Sequence, residues 1–459
     1  MSNTSGPAAG TRTFGRGGVH PEPHKEATSR RAIESVPPPS EVVLPLQQHL
    51  GEPAVPIVKK GELVRRGQKI ADGGATGVPL HASISGKVRP PDKRPHPTLG
   101  IAPAIAIAAD ANAGPELEYT LDAHWTSLPR EEAWSRIREA GIVGLGGAAF
   151  PTWRKLESAA RAAVDTLVLN GAECEPYLTA DHRLMLAWPA EIVEGALALA
   201  RATGAIRVRI GVESDKPDAI ALLRTAIGQV WVGAIDVRVV PCVARYPQGA
   251  ERQLVHATTG RTVPPRQLPA TVGVLVQNVA TALAVRDALR EQHPLLDRVV
   301  TVTGPGIKEP RNLIAPLGTS LTSLVDACGG LLGDARRLVA GGPMMGRTLA
   351  RLDVPLVKGM NGLVVLTGKG PLEDGYAACI RCARCLDACP LGLEPDQVSI
   401  RVEAGRTLDS EPFGALDCYE CGCCSYVCPS GRPLVQFMQV AKGALRRAAE
   451  ASAPTGVSR

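Results

Sequence analysis

Eight of the twelve cysteines stand in two runs near the C-terminus, and they restrict the possible fold more than any other feature. Cys379, Cys382, Cys385 and Cys389 precede Pro390; Cys418, Cys421, Cys424 and Cys428 precede Pro429. Each run reads C-x2-C-x2-C-x3-C-P, a spacing that wraps a cubane iron–sulfur cluster. Three closely spaced thiolates take three corners of one cluster, and the fourth, held before a proline, reaches across to the other. The first cluster would then be ligated by Cys379, Cys382, Cys385 and Cys428, and the second by Cys418, Cys421, Cys424 and Cys389. Zinc motifs are built from cysteine pairs, and disulfides do not need this spacing. Two such runs in tandem imply a two-cluster wire for electrons, on loops folded around inorganic cores.

The 459 residues leave room for about three or four domains in all. Gly 48 and Pro 39, with only 3% aromatic residues, point to many turns and not to a helical bundle. The first 31 residues carry five Lys or Arg against two acids, and the last 20 carry four against one, so the ends hold the whole formal charge of +6. A neutral interior argues against a nucleic-acid groove, which needs a basic face on a folded domain. No run approaches the ~20 consecutive apolar residues of a membrane helix, and the N-terminus has no apolar secretory core. Intact cluster thiolates fit a reducing compartment. The expectation is a cytoplasmic chain that meets a membrane through partners or at its periphery.

Along the chain the pattern changes several times. Residues 1–40 read as an N-terminal arm, rich in Gly, Pro and charge. Residues 41–125 begin with short β-branched runs between glycines, "VVLPL", "AVPIVKKGELVRRGQKIADG" and "VPLHASISGKVRP", a layout similar to the barrel-sandwich of biotinyl and lipoyl carrier domains. No lysine occupies the carrier turn, so a structural module is expected. Residues from about Pro91 to Trp125 read as a poorly defined connector. Over 126–295, strand-like "TLVLNG", "RVRIGVES" and "DVRVVPC" alternate with helix-like segments, which predicts a parallel α/β sheet. Residues 296–368 read as a small α+β unit, 369–447 as a two-cluster, ferredoxin-like domain with a closing helix, and 448–459 as a tail. In that helix Leu434, Phe437, Met438, Ala441 and Leu445 fall on one face, the pattern of packing. Cys423 reads as a small filler, and Met344 with Met345 as core.

Clusters take one electron at a time, so a chain fed by a hydride donor needs a flavin between. "EAGIVGLGGAAFPTWRK" offers Gly141, Gly144, Gly146 and Gly147 for close backbone approach to a phosphate or ring, ahead of a helix. "NGAECEPYLTADHRLM" places Asn170, Glu173 and Glu175 at a strand end, where open α/β sheets bind ligands.

These segments, with "YPQGAERQLVHATTGR" and "VGVLVQNVATA", resemble the NADH- and FMN-binding flavoprotein subunit of respiratory complex I. Over about residues 12–447 the order of "FGRGGVHPEPHKEAT", the sandwich, the flavin segment, "GPGIKEPRNLIAPLGTSL…GGPMMG" and both cysteine runs resembles the C-subunit family of the Rnf electron-transport complexes. The resemblance implies a multidomain α/β and α+β chain: barrel-sandwich, Rossmann-like flavin/NADH domain, β-grasp domain of the soluble-ligand-binding type, and two-cluster domain. It implies FMN, NAD(H) and two 4Fe-4S clusters as cofactors, and other subunits and a ferredoxin or flavodoxin as partners. A place on the cytoplasmic face of the bacterial inner membrane follows, with ion translocation left to other subunits. Residue by residue it implies Gly144, Gly146, Gly147 and Lys155 as the glycine loop and its lysine, and Phe150 as a stacking aromatic. Asn170, Glu173, Glu175, Tyr246, Gly249 and Asn278 would contact flavin or nucleotide, and Lys155 and Glu251 would be catalytic. Leu145, Ala149 and Ala172 stand where complex I carries an arginine, a glycine and an acid. Two other readings use the same modules: a soluble cobalamin reductase-like enzyme, and a non-catalytic electron bridge.

Overall fold

The computed structural model describes residues 10–370, 373 and 375–452; parts of the expected arm, cluster domain and tail lie outside them. After the first segment the chain builds a small two-sheet sandwich. One sheet orders Glu41–Pro45, Gly100–Ala109, Gly86–Val88 and Leu63–Val64, with Asp92–His96 also paired to the long strand, and the other orders Val55–Pro56, Lys69–Asp72 and Leu80–His81. Val42, Leu44, Val64, Ile70, Leu80 and Ile107 fill the space between them. Two turns repeat one sequence solution. In "VKKGE" the amide of Lys59 donates to Glu62 Oε2 at 2.9 Å, and in "VRRGQ" the amide of Arg65 donates to Gln68 Oε1 at 3.1 Å. Gly61 and Gly67 take the left-handed conformation that each turn requires (φ +84 and +89). The expected connector is a correction: Asp92–His96 and Gly100–Ala109 are an antiparallel hairpin inside the sandwich. The three prolines between 91 and 97 mask a strand whose free edge tolerates them.

The central sheet has four parallel strands: β1 (Thr166–Gly171), β2 (Arg207–Glu213), β3 (Asp236–Cys242) and β4 (Val274–Asn278), in the order β3-β2-β1-β4. "TLVLNG" and "VLVQN" are almost continuously buried, as strands covered on both faces must be. Helices α1 (Arg130–Glu139), α2 (Thr152–Arg161), α3 (Ala180–Ala187), α4 (Pro189–Thr203), α5 (Pro217–Gln229), α6 (Glu251–Thr259) and α7 (Val279–Arg286) cover it. The helix-like run "LAWPAEIVEGALALARATG" is broken at Trp188, and Pro189 opens α4 at a position where its missing amide costs nothing.

A six-stranded mixed sheet follows, ordered Ile33–Ser35, Arg311–Pro316, Asp297–Thr303, Gly362–Thr367, Ala335–Ala340 and Arg347–Leu349, with helix Leu321–Ala327 packed on it. Its outermost strand comes from the N-terminal segment, paired in parallel with Arg311–Pro316. That segment is therefore woven through the molecule: Arg12 bridges Cys242, Val19 bridges Tyr246, and the amide of Gly18 donates to Ala388 O at 2.9 Å. A buried polar knot fixes it. Asn312 donates to Thr28 O (3.0 Å) and accepts from Thr179 (3.0 Å) and Thr301 (2.9 Å). A fully satisfied buried network of this kind specifies one arrangement of three segments.

In the last domain, helix Leu434–Ser452 packs Leu434, Met438, Ala441 and Leu445 inward, as its spacing predicts, and Cys423 is fully buried. Met345 departs from the core reading and is 49% exposed.

Candidate functional site: a crevice and two thiol-lined loops

The chain passes outward from β1 to β3 and then returns to place β4 on the other side of β1. The C-terminal ends of β1 and β4 are thus the switch point where open α/β sheets bind ligands. Two asparagines end these strands as register partners, Asn170 and Asn278. Asn170 donates to Gly249 O (2.9 Å) and accepts from the amide of Ala172 (3.1 Å). Asn278 caps α7 by accepting from the amide of Ala280 (2.8 Å), and it donates to Asp181 Oδ2 (2.6 Å). Burial raises the pKa of Asp181, and its other oxygen has no partner among the described residues. Asp181 was missed in the sequence, where it is one acid at an ordinary helix start in "LTADHRL".

The glycine loop connects α1 to α2 and does not follow a strand, so it differs from a dinucleotide fingerprint turn. It closes on itself through Gly144 N to Phe150 O (2.8 Å) and Ala149 N to Gly144 O (3.2 Å). Leu145 fixes it over the switch point: its amide donates to Thr281 Oγ1 (2.9 Å) and its carbonyl accepts from Arg298 (2.7 Å). A Cβ on Gly146 would lie 3.3 Å from that of Asn278, a tight contact that glycine avoids. Gly147 adopts φ +119 beside open space. The amides of Gly146, Gly147, Ala148 and Phe150 donate to no acceptor among the described residues, and all four residues are exposed. Consecutive free amides are groups that can take an anion such as a phosphate. Lys155, one turn into α2, donates to Glu251 Oε1 and to Val276 O, both at 2.7 Å.

The second loop holds its acids differently from the expectation of ligand contacts. Glu173 accepts from the amides of Asp181 (2.7 Å) and His182 (3.0 Å), so it caps α3; its carbonyl accepts from half-buried Lys25. Burial raises the pKa of Glu173 and lowers that of Lys25. Glu175 accepts from the amides of Met344 (3.0 Å) and Met345 (2.8 Å), tying the "GGPMMG" loop to the crevice, and burial pushes it up to about 7. Both carboxylates position loops. Gly249, whose amide donates to Cys174 Sγ (3.3 Å), lies behind Asn170. Tyr246 is buried, and its hydroxyl donates to the carbonyl of Cys421 at 2.7 Å. That bond turns a residue expected at the flavin toward the second cysteine run.

The two runs repeat one backbone. Arg381 and Glu420 take left-handed φ (+55, +65), as do Ala383 and Gly422 (+59, +85). In each run the amide two residues on donates to the first sulfur, Arg381 to Cys379 at 3.4 Å and Glu420 to Cys418 at 3.3 Å. Three of these four left-handed positions are not glycine, a strain of about 1–2 kcal/mol each. Cys379, Cys382, Cys385 and Cys428 line one cavity. Cys389 lies with the other set, where it shifts the titration of Cys418 and Cys424 and is itself shifted by Cys421. Burial raises Cys385 and Cys418 to about 11, so a cluster's positive charge is needed to hold them as thiolates. No three His, Cys, Asp or Glu among the described residues converge on a single-ion site; four thiols around a cavity suit a larger cluster. Cys382 and Ile380 are exposed, whereas Cys421, Cys423, Tyr246, Cys174 and Met344 pack together.

Family models match residues 13–112 ("RnfC Barrel sandwich hybrid domain"), 137–287 ("Nuo51 FMN-binding domain"), 299–348 ("SLBB domain") and 378–432 ("4Fe-4S dicluster domain"). The chain is 41% identical over 438 residues to the C-subunit of the proton-translocating ferredoxin:NAD(+) oxidoreductase complex of Clostridium ljungdahlii, covering 95% of this chain and 94% of that one. It is 43% identical over 435 residues to the C-subunit of the ion-translocating oxidoreductase complex of Rhodobacter capsulatus, covering 94% and 83%. It is 39% identical over 432 residues to the C-subunit of the Na(+)-translocating ferredoxin:NAD(+) oxidoreductase complex of Acetobacterium woodii, covering 93% and 96%.

Proposed function

The chain belongs to the C-subunit family of ion-translocating ferredoxin:NAD(+) oxidoreductase complexes, and from that premise we propose that it is the peripheral redox subunit joining NADH, FMN and two 4Fe-4S clusters. When bound, FMN exchanges the two electrons of a hydride for single electrons, and each cluster carries one. The free amides of Gly146, Gly147 and Ala148 would hold phosphate, and Asn170 and Asn278 would face the ring system at the switch point. Lys155, paired with Glu251, supplies a positive group beside β4. Cys379, Cys382, Cys385 and Cys428 would ligate one cluster, and Cys418, Cys421, Cys424 and Cys389 the other.

The contact from Tyr246 to Cys421 carries this reading most, because it links the crevice to a cluster loop through one buried side chain. It supports an order in which the second cluster adjoins the crevice and the first, near exposed Cys382, serves an outside partner. No helix of the described residues is long and apolar enough to cross a membrane. Attachment to the membrane, on the cytoplasmic face of the bacterial inner membrane, would come through the other subunits. The test is reduction of the purified, iron-reconstituted chain by NADH. Stoichiometric flavin and bleaching of the iron–sulfur absorbance are expected; a chain that binds no flavin and stays coloured under NADH would refute the proposal.

A further inference from the structure

The two cysteine runs share spacing and backbone, so the residues between their sulfurs can be compared place by place. The second run uses its places inwardly. Half-buried Tyr419 follows the first sulfur, Glu420 accepts from Gln439 (2.9 Å) and from Lys442 (2.7 Å), and Cys423 is fully buried. At the same three places the first run has Ile380, Arg381 and Arg384, and it turns them outward. Ile380 is 67% exposed, and both arginines are exposed and line the cavity of the first sulfur set, beside exposed Cys382. Five arginines lie between residues 376 and 434. Arg401 donates to Gln397 Oε1 (2.9 Å), Arg406 pairs with Asp409 (2.7 Å), and Arg432 pairs with Glu403. The side chains of Arg381 and Arg384 have no such partner among the described residues. Exposed Asp387 follows Arg384 by three residues, and half-buried Asp396 lines the same cavity.

The same stretch holds eight acids, so the positive charge is a local feature of the first run and not a general surplus. Two solvated arginines and an uncovered isoleucine add little to folding, since exposed charges contribute little stability. They suit an acidic protein, because complementary charge speeds and orients the encounter. The isoleucine between them gives such a partner an apolar residue to bury. The second run would repel it at Glu420. Position fixes the kind of partner: the face surrounds the sulfurs of one cluster site, where only a protein that exchanges electrons gains by docking. We propose that Ile380, Arg381 and Arg384 form the docking face for an acidic electron-carrier protein with carboxylates around its redox group. One electron leaves the reduced carrier and enters the first cluster; no bond forms or breaks, and no proton moves. This inference rests on the reading of Cys379, Cys382, Cys385 and Cys428 as the ligands of that cluster.

The experiment uses the full chain with its clusters, no NADH, and two reductants: a small acidic ferredoxin, and photoreduced 5-deazariboflavin, which is small and uncharged. Arg381→Glu installs the residue that the second run carries. At low salt it should weaken calorimetric binding of the oxidised ferredoxin about tenfold, and slow cluster reduction by the reduced ferredoxin by a similar factor. Added salt should slow the parent and change the variant little. Reduction by deazariboflavin, iron content and the cluster spectrum should stay within about twofold of the parent. Arg384→Gln should act in the same direction, Arg381→Lys should restore binding, and Arg224→Gln on α5, an exposed arginine elsewhere, should change nothing. Equal slowing with both reductants would overturn the face by making the arginines part of the cluster's own surroundings. So would unchanged ferredoxin binding in Arg381→Glu, or a loss confined to binding of anionic phospholipid vesicles, which would assign the face to a membrane. A parent chain that lacks the first cluster, yet binds oxidised ferredoxin through Arg381, retains the face and removes the cluster reading beneath it.

Discussion

Cys389→Ala should remove the cluster that Cys389's own run does not build. In sequence Cys389 closes the first run, but in space it lies with Cys418, Cys421 and Cys424, while Cys428 lines the cavity of Cys379, Cys382 and Cys385. Alanine retains the backbone that the N-terminal segment packs against, where a Cβ on Gly17 would sit 2.4 Å from the carbonyl carbon of Cys389 and Gly18 donates to Ala388 O. Three ligands cannot close a four-cornered cluster, so iron content should fall to about half of the parent's. The paramagnetic spectrum that survives should match that of Cys418→Ala and differ from that of Cys379→Ala. Cys428→Ala should show the converse pairing. The kinetic consequence separates the two further. With the second cluster next to Tyr246, Cys389→Ala should stop rapid reduction of the remaining cluster by NADH, whereas Cys428→Ala should leave it. A Cys389→Ala protein whose spectrum and kinetics follow Cys379→Ala would refute both the crossing and the order.

Tyr246→Phe removes one buried hydrogen bond between the crevice and the second run, a change of about 1 kcal/mol; stopped-flow traces should show flavin reduction unchanged and iron–sulfur bleaching slowed, and equal rates in both phases would discount Tyr246 as a link. Lys358 is fully buried at the junction of three modules, donating to Gly141 O (2.6 Å) and Pro79 O (3.1 Å), and burial pushes it down to about 7 from 10.5. Between those values the unfolded chain binds more protons than the folded one, so stability rises with pH from about 7 to about 10, by about 4–5 kcal/mol at most. Lys358→Met should flatten that rise in the thermal midpoint measured at pH 7 and 9.5, and identical slopes for parent and variant would show that Lys358 is not the group responsible.

The sequence was most legible where one motif carries its own geometry. Cysteine spacing alone assigned both thiol sets, because the loop between ligands has little freedom once three sulfurs share a cluster. The central sheet was legible because strands buried on both faces must be continuously apolar, as "TLVLNG" is. Ile33–Ser35 carried no comparable signal. Three residues become a strand only because Arg311–Pro316 offers an edge some 280 positions away. The same reason hid the roles of Glu173 and Glu175. Their place in a strand-end loop was readable, but their partners are amides at Asp181, His182, Met344 and Met345, and only folding brings the last two near.

What local pattern could not supply is therefore of one kind, the contacts between modules. They also concentrate where electrons and ligands would pass. Tyr246 with Cys421 joins crevice to cluster, Glu175 with Met344 and Met345 joins crevice to the six-stranded sheet, and Leu50 with Ala149 joins crevice to sandwich. Electron transfer and ring binding both depend on holding separate bodies at fixed separation, which no module can achieve alone. That dependence accounts for Lys358 and the Thr28–Asn312 knot, buried polar groups that are expensive by themselves, standing at junctions between modules. A substitution at such a junction should loosen the coupling between modules before it unfolds any one of them, so its first effect is on rates and not on cofactor content.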